Sequence, residues 1–299
     1  MRGPRILLAV TALSLLATTY GANAYASSSS PTITIGSTNF TEQVIVADLY
    51  ADVLHHAGIN TNLRTDLGSR EVVEPALAAG QLDLYPDYAG TLLIFLKPND
   101  TEQATQTSTA VPALKRTLAS SGATVLNPAP AIDTNVFAVT KATARKYHLT
   151  TLSSLKSVAS KLTLGGPPEC PQRPTCLEGL ESLYGIHFKA FTSTDEAGPI
   201  TVADLKNGSV QVAELFSSDG NVLENGFVQL TDNKHLQPAD YLIPVIRKSV
   251  DTPAVTSALN KLSAKLTTQQ LSELNIKVTD NHDDPAAVAS QWLKSEHLT

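Results

Sequence analysis

The stretch "TITIGSTNFTEQVIVADLYADVLHHAG", Thr32 to Gly58, decides the fold. Its first part alternates, with Ile33 and Ile35 apolar, and ends at Gly36-Ser37, the pattern of a strand running into a turn. Thr41 is then a candidate helix N-cap, Glu42 suits a first turn, and Gly58 suits a stop. Between them Val46, Leu49, Tyr50, Val53 and Leu54 fall at helical spacing. The same alternation continues outward. "NTNLRTDLG", Asn60 to Gly68, reads as a second strand, and "SREVVEPALAAG" as a short helix with Ser69 at its N-cap and Gly80 past its end. "LDLYPDY", Leu82 to Tyr88, reads as a third strand that stops at Pro86, and "GTLLIFL" starts another helix. Strand and helix in alternation predict an α/β fold with a mainly parallel sheet. Ligands of such sheets bind at the carboxyl ends of strands. Three of these ends are polar: Ser37-Thr38-Asn39, Gly68-Ser69-Arg70 and Tyr85-Pro86-Asp87-Tyr88. Each feeds a helix N-terminus, where free N–H groups favour an anion.

The middle of the chain carries a second set. "NVFAVT" from Asn135, "KLTLGGPPE" from Lys161 and "VQVAELFSSDG" from Val210 read as strands, with helices between them. "YLIPVIRK", from Tyr241, reads as a strand that returns to the first half, and helices close the chain. The expected architecture is two α/β lobes, the second inserted into the first. Residues 27–134 and 240–299 make one lobe and residues 135–239 the other, with crossings near Asp133–Asn135 and Gln237–Tyr241.

Ahead of the lobes stands "MRGPRILLAVTALSLLATTYGANAYA". Arg2 and Arg5, an apolar run from Ile6 to Ala17 and a small-residue end are the three parts of a secretory signal over residues 1–26. Ala24-Tyr25-Ala26 and Ala22-Asn23-Ala24 both fit the cleavage rule. The run is too short for a membrane span. With no Cys before Cys170, no lipid-attachment Cys lies near the cleavage sites. The product is expected outside the cytoplasmic membrane, in the periplasm or cell envelope. Removing Arg2 and Arg5 leaves 20 of the 22 basic residues against 28 acids, a formal charge of −8. An acidic surface disfavours nucleic acid as a partner. Cys170 and Cys176 are the only cysteines. In an exported chain such a pair reads as a disulfide, here closing a small loop. Too few further ligands stand near them for a metal site, and none is expected.

No enzyme motif assembles: there is no G-x-S-x-G, H-E-x-x-H, P-loop or G-x-G-x-x-G. The chain reads as a binding protein without a cofactor. The runs "IGSTNFTEQVIVADLYADVL", "LGSREVVEPALAAGQLDLYPDYAGT", "ECPQRPTCLEGLESLYG" and "FSSDG" carry a specific resemblance. Together they resemble the substrate-binding proteins of osmoprotectant ABC importers, the glycine betaine, choline and carnitine type, over about Ile33 to Leu293. The resemblance implies a two-lobed clamp that takes a small solute in its cleft and docks on membrane-bound permease subunits. It also implies a cage of tyrosines around a quaternary ammonium, held by cation–π attraction.

Residue by residue, the resemblance places Tyr88 in that cage and Thr91 at a ligand hydrogen bond. Asp133 matches the family's pattern, while a cage tyrosine becomes Asn135. Phe216 keeps a ring without the hydroxyl. Asp240 stands at a further cage position unless a one-residue shift brings Tyr241 in. Glu169 and Arg173 keep the family's spacing, with Arg173 either facing a carboxylate or pairing with Glu169. Ser37, Thr38 and Asn39 form the first loop, and Ser37 is expected at the ligand's polar end. A betaine-like solute is the expected ligand. The missing tyrosines keep open a polar or aromatic metabolite without a quaternary amine, and, less favoured, an enzyme on this scaffold. A monomer is expected.

Overall fold

The structure is a computed structural model that describes residues 32–98 and 101–299. The expected secretory signal and the serine tract after it lie outside the described residues. Among the described residues, ten strands form two five-stranded sheets. The first holds β1 (Ile33–Gly36), β2 (Thr61–Arg64), β3 (Leu84–Tyr88) and β4 (Ala123–Val125). The second holds β5 (Asn135–Val139), β6 (Thr163–Gly166), β7 (Ala190–Ser193), β8 (Val212–Phe216) and β9 (Val228–Leu230). The last strand, β10 (Leu242–Arg247), returns to the first sheet.

The two sheets share one plan. Their orders are β2-β1-β3-β10-β4 and β7-β6-β8-β5-β9. In each, three parallel strands lead to one antiparallel strand in the fourth place, β10 or β5. Those two strands follow the points where the chain passes between sheets. They also start side by side, since the Asp133 N–H donates to the Asp240 carbonyl at 3.1 Å and Ile132 bridges Tyr241. The fold is therefore two-lobed, each lobe a mixed sheet with helices on both faces.

Apolar clusters on the two faces of each sheet explain why the helices dock. In the helix Thr41–His56, the residues Val46, Leu49, Tyr50, Val53 and Leu54 are buried, at the spacing read in the sequence. They pack with Leu259, Leu271 and Trp292 of the three closing helices, Pro253–Lys265, Thr268–Thr279 and Pro285–Ser295. The other face of that sheet buries Tyr85 among Val73, Leu77, Leu92 and Val245.

Two expectations change. The N-cap of the first helix is Phe40, one residue before Thr41, and no side chain caps it. Strand β3 does not stop at Pro86 but continues to Tyr88. The reason is the register: Pro86 faces Pro244 of β10, whose carbonyl turns the other way, toward Leu126 N–H of the neighbouring segment. At such a position the facing residues exchange no hydrogen bond, so two prolines fit.

Candidate ligand site between the lobes

The strand ends converge. Thr38 follows β1, Tyr88 closes β3 and Phe216 closes β8, while Asn135 starts β5 directly opposite Phe216. Asp133 and Asp240 stand just ahead of β5 and β10. All six line one cavity of about 40 Å³, room for a few water molecules. Gly90 permits this closeness. A Cβ there would lie 2.5 Å from Cβ of Pro238 and 3.0 Å from Oδ1 of Asp240.

One wall is aromatic. The Phe40 ring stacks on Tyr88 with centroids 6.5 Å apart and meets Phe216 at 4.8 Å. The Tyr88 ring is held by its hydroxyl, which donates to Glu42 at 2.5 Å. Glu42 also accepts from Ser218 Oγ at 2.5 Å and Asn275 Nδ2 at 2.6 Å. Burial pushes the Glu42 carboxyl up, against those three hydrogen bonds.

Charged groups line the same cavity. Arg70 grips Asp87 through Nε and Nη2, at 3.0 and 2.6 Å, and its Nη2 also donates to the Thr91 hydroxyl at 2.8 Å. Arg173 gives Nε and Nη2 to Glu71, at 3.2 and 3.0 Å, and Nη1 to Glu196 at 3.4 Å. Burial works against ionisation of Glu71, but the Arg173 hydrogen bond and charge hold it down to about 2.

Two further carboxylates have only neutral donors among their hydrogen bonds. Asp240 accepts from the Thr91 N–H at 2.7 Å, and Asp133 from Ser218 N–H at 2.9 Å and Ser217 Oγ at 3.1 Å. Burial pushes Asp240 up to about 7 and Asp133 well above the ordinary carboxylate range. The buried Thr38 hydroxyl and Gln43 amide, also at the cavity, find no hydrogen-bond partner among the described residues.

Hydrogen bonds cross from lobe to lobe around this cavity, among them Arg173 to Glu71, Ser218 to Glu42, and Asn39 to Glu196. The last forms when the Asn39 amide nitrogen faces Glu196 Oε2, at 2.8 Å. Outside them a wider groove of about 910 Å³ opens between the lobes.

A buried cavity at the strand ends of two lobes, lined by both rings and carboxyls, suits a small solute. A family profile, the substrate binding domain of ABC-type glycine betaine transport systems (OpuAC), matches residues 31–295. The chain belongs to this family. It is a transporter binding-protein family, not an enzyme family. The chain is 27% identical to the glycine betaine-binding protein YehZ of Escherichia coli, over 89% of this chain and 91% of that one. It is 28% identical to the carnitine transport binding protein OpuCC of Listeria monocytogenes, over 90% and 88%. A crystal structure of a glycine betaine/carnitine/choline ABC transporter protein superposes with a TM-score of 0.69 at 25% identity, over 89% and 99%.

Within this OpuAC-type chain, Thr38, Tyr88, Thr91, Asp133 and Asn135 line the inner cavity, with Arg173, Phe216 and Asp240. Asn39 lines the outer groove. Tyr241, Glu169 and Ser37 line neither cavity. Tyr241 instead gives its carbonyl to the Ala89 N–H, and Glu169 occupies the N-cap position of the short helix Cys170–Gln172 without a side-chain capping bond. The pairing considered between Arg173 and Glu169 is replaced by Glu71 and Glu196. Ser37 Oγ is used within the protein, donating to the Thr38 carbonyl and accepting from the Asp66 N–H of the segment after β2 at 3.0 Å. Cys170 and Cys176 are joined, which fixes the loop that carries Arg173.

Sequence reasoning passed over Phe40, Gln43, Arg70, Asp87 and Glu196. Phe40 and Gln43 stand inside the quoted first motif, and Arg70 and Asp87 stand at two of the polar strand ends. Those positions were the signal. Nothing in the sequence marks Glu196.

Proposed function

We propose that this protein is an exported receptor that captures a betaine-like quaternary amine between its lobes and delivers it to an ABC permease. The observation that carries this reading is that the rings of Phe40, Tyr88 and Phe216 and the carboxyls of Asp133 and Asp240 line one buried cavity. A trimethylammonium group cannot donate a hydrogen bond. Ring faces and nearby negative charge are what attract it, at about 0.5–2 kcal/mol per ring. The relatives named for glycine betaine and carnitine support the same ligand class.

The cavity is too small for such a solute as it stands, so the lobes part to admit it and close on it. We take residues 27–134 with 240–299 as one moving lobe and 135–239 as the other, behind a signal over residues 1–26. Binding proteins of ABC importers act outside the cytoplasmic membrane, and we place this one there as a monomer. Among the described residues no helix is long and apolar enough to cross a membrane.

A thermal-shift panel tests the reading, because a ligand bound only by the folded state raises the melting temperature. Choline, glycine betaine, carnitine and proline betaine are run beside sugars, amino acids and phenolic acids. At least one quaternary amine is expected to give the largest shift. A shift confined to solutes without a quaternary amine rejects the ligand class and keeps the receptor.

A further inference from the structure

The charges around the cavity constrain the ligand further than its ammonium group does. Two arginines line the cavity against four carboxylates, Asp87, Asp133, Glu196 and Asp240. Both arginines are already matched inside the protein. Arg70 holds Asp87 with two nitrogens, and Arg173 spends three nitrogens on Glu71 and Glu196. A ligand carboxylate brought to either one competes with a carboxylate of the protein. In a buried setting that competition is little screened.

The other polar groups turned to the cavity are neutral. The Thr38 hydroxyl and the Gln43 amide are buried, lack a partner among the described residues, and offer both donors and acceptors. They suit an uncharged hydrogen-bonding group such as a hydroxyl.

The outer groove points the same way independently. Its walls carry Asp66, Asp195, Asp219, Glu224 and Asp280 against a single lysine, Lys206. A groove of one sign draws in a ligand of the opposite sign and raises its rate of capture. A zwitterion has no net charge for that field to act on.

We infer that the cleft selects a quaternary amine with a net positive charge and a neutral polar end, a choline-like monocation, over the zwitterionic betaines. This rests on the proposed receptor role and narrows its ligand class.

Isothermal titration of the purified protein, dialysed free of solute, compares choline with glycine betaine at pH 8. Choline is expected to bind at least tenfold more tightly. Its association rate, by stopped flow, is expected to fall with added salt, while that of glycine betaine holds steady. The variant Glu71→Gln supplies the second arm. Glu71 is partly exposed, so the fold tolerates the change. It frees Arg173 from one carboxylate and is expected to narrow the choline preference at least threefold through a gain for glycine betaine. Equal or tighter binding of glycine betaine by the unaltered protein overturns the inference and leaves the receptor reading intact. Heat from neither ligand overturns the quaternary-amine reading beneath it.

Discussion

The Tyr88 hydroxyl donates to the Glu42 carboxylate at 2.5 Å, and the same carboxylate accepts from Ser218 of the other lobe. One buried acid thus orients a ring of the ligand wall and ties that wall to the lobe that closes on it. Tyr88→Phe keeps the ring and removes one donor. It is expected to cost about 1 kcal/mol of stability and change affinity by less than about threefold. Tyr88→Ala removes the ring, and affinity is expected to fall about tenfold or more. Titration calorimetry with urea unfolding separates the two. Equal losses of affinity in both variants contradict a cation-facing role for the ring.

Phe40 touches both other rings of the wall. Phe40→Leu keeps apolar bulk and removes the π face. Affinity for a quaternary amine is expected to fall about 3- to 30-fold, from the attraction of one ring. Binding unchanged in Phe40→Leu means that Phe40 only packs.

Asp240 is pushed up to about 7, first by burial, with Asp87 adding to it and the Thr91 N–H and Arg70 opposing. A bound cation favours the ionised form, so binding near pH 7 releases protons. Affinity for a quaternary amine is therefore expected to rise between pH 6 and 8. Titrations in buffers of different ionisation enthalpy are expected to count a net release. A net uptake of protons contradicts Asp240 as a cation partner.

Stability of the ligand-free protein follows from the same acids. Burial raises Glu214 and Asp240 to about 7 and Asp48 to about 6, each above its unfolded value. The folded state then binds more protons than the unfolded state between about pH 4.5 and 7, so stability rises as pH falls through that window. Glu71, held down to about 2, has the opposite sign, but its contribution is lost only below its unfolded value. The melting temperature by calorimetry is expected to be higher at pH 5.5 than at pH 7.5. A lower value at pH 5.5 contradicts the burial of these carboxyls.

The loop closed by Cys170 and Cys176 carries Arg173 against Glu71 and Glu196. Replacing both cysteines by serine is expected to lower stability by about 2 kcal/mol, the chain-entropy figure for so short a loop. It is also expected to loosen the closed form. Small-angle scattering of the liganded variant is then expected to give a larger radius of gyration than the unaltered protein. An unchanged radius and affinity reject the loop as part of the closure.

Much of the fold was legible because its signals are local. Ile33, Ile35 and the helical spacing from Val46 to Leu54 declare a strand and a helix without outside help. Pro86 misled because proline is read as a stop, and only the partner strand supplies Pro244 opposite it. The site divides in the same way. Thr38, Tyr88 and Asp240 stand at element ends, where the sequence shows them. Arg173 and Glu71 lie 102 positions apart, and no local pattern joins them. Ser37 was expected to meet the ligand because it lies at a strand end, yet the segment after β2 uses that hydroxyl for the Asp66 N–H. Polar residue type at a strand end marks a neighbourhood, while the competing partner decides the role.

The most direct test is a crystal structure of the protein with a bound quaternary amine. The account predicts the ammonium within about 6 Å of the ring centroids of Phe40, Tyr88 and Phe216, the distance over which cation–π attraction acts. Asp133 and Asp240 are expected near it. An ammonium bound in the outer groove, or a ligand seated with no ring against its cationic end, contradicts it.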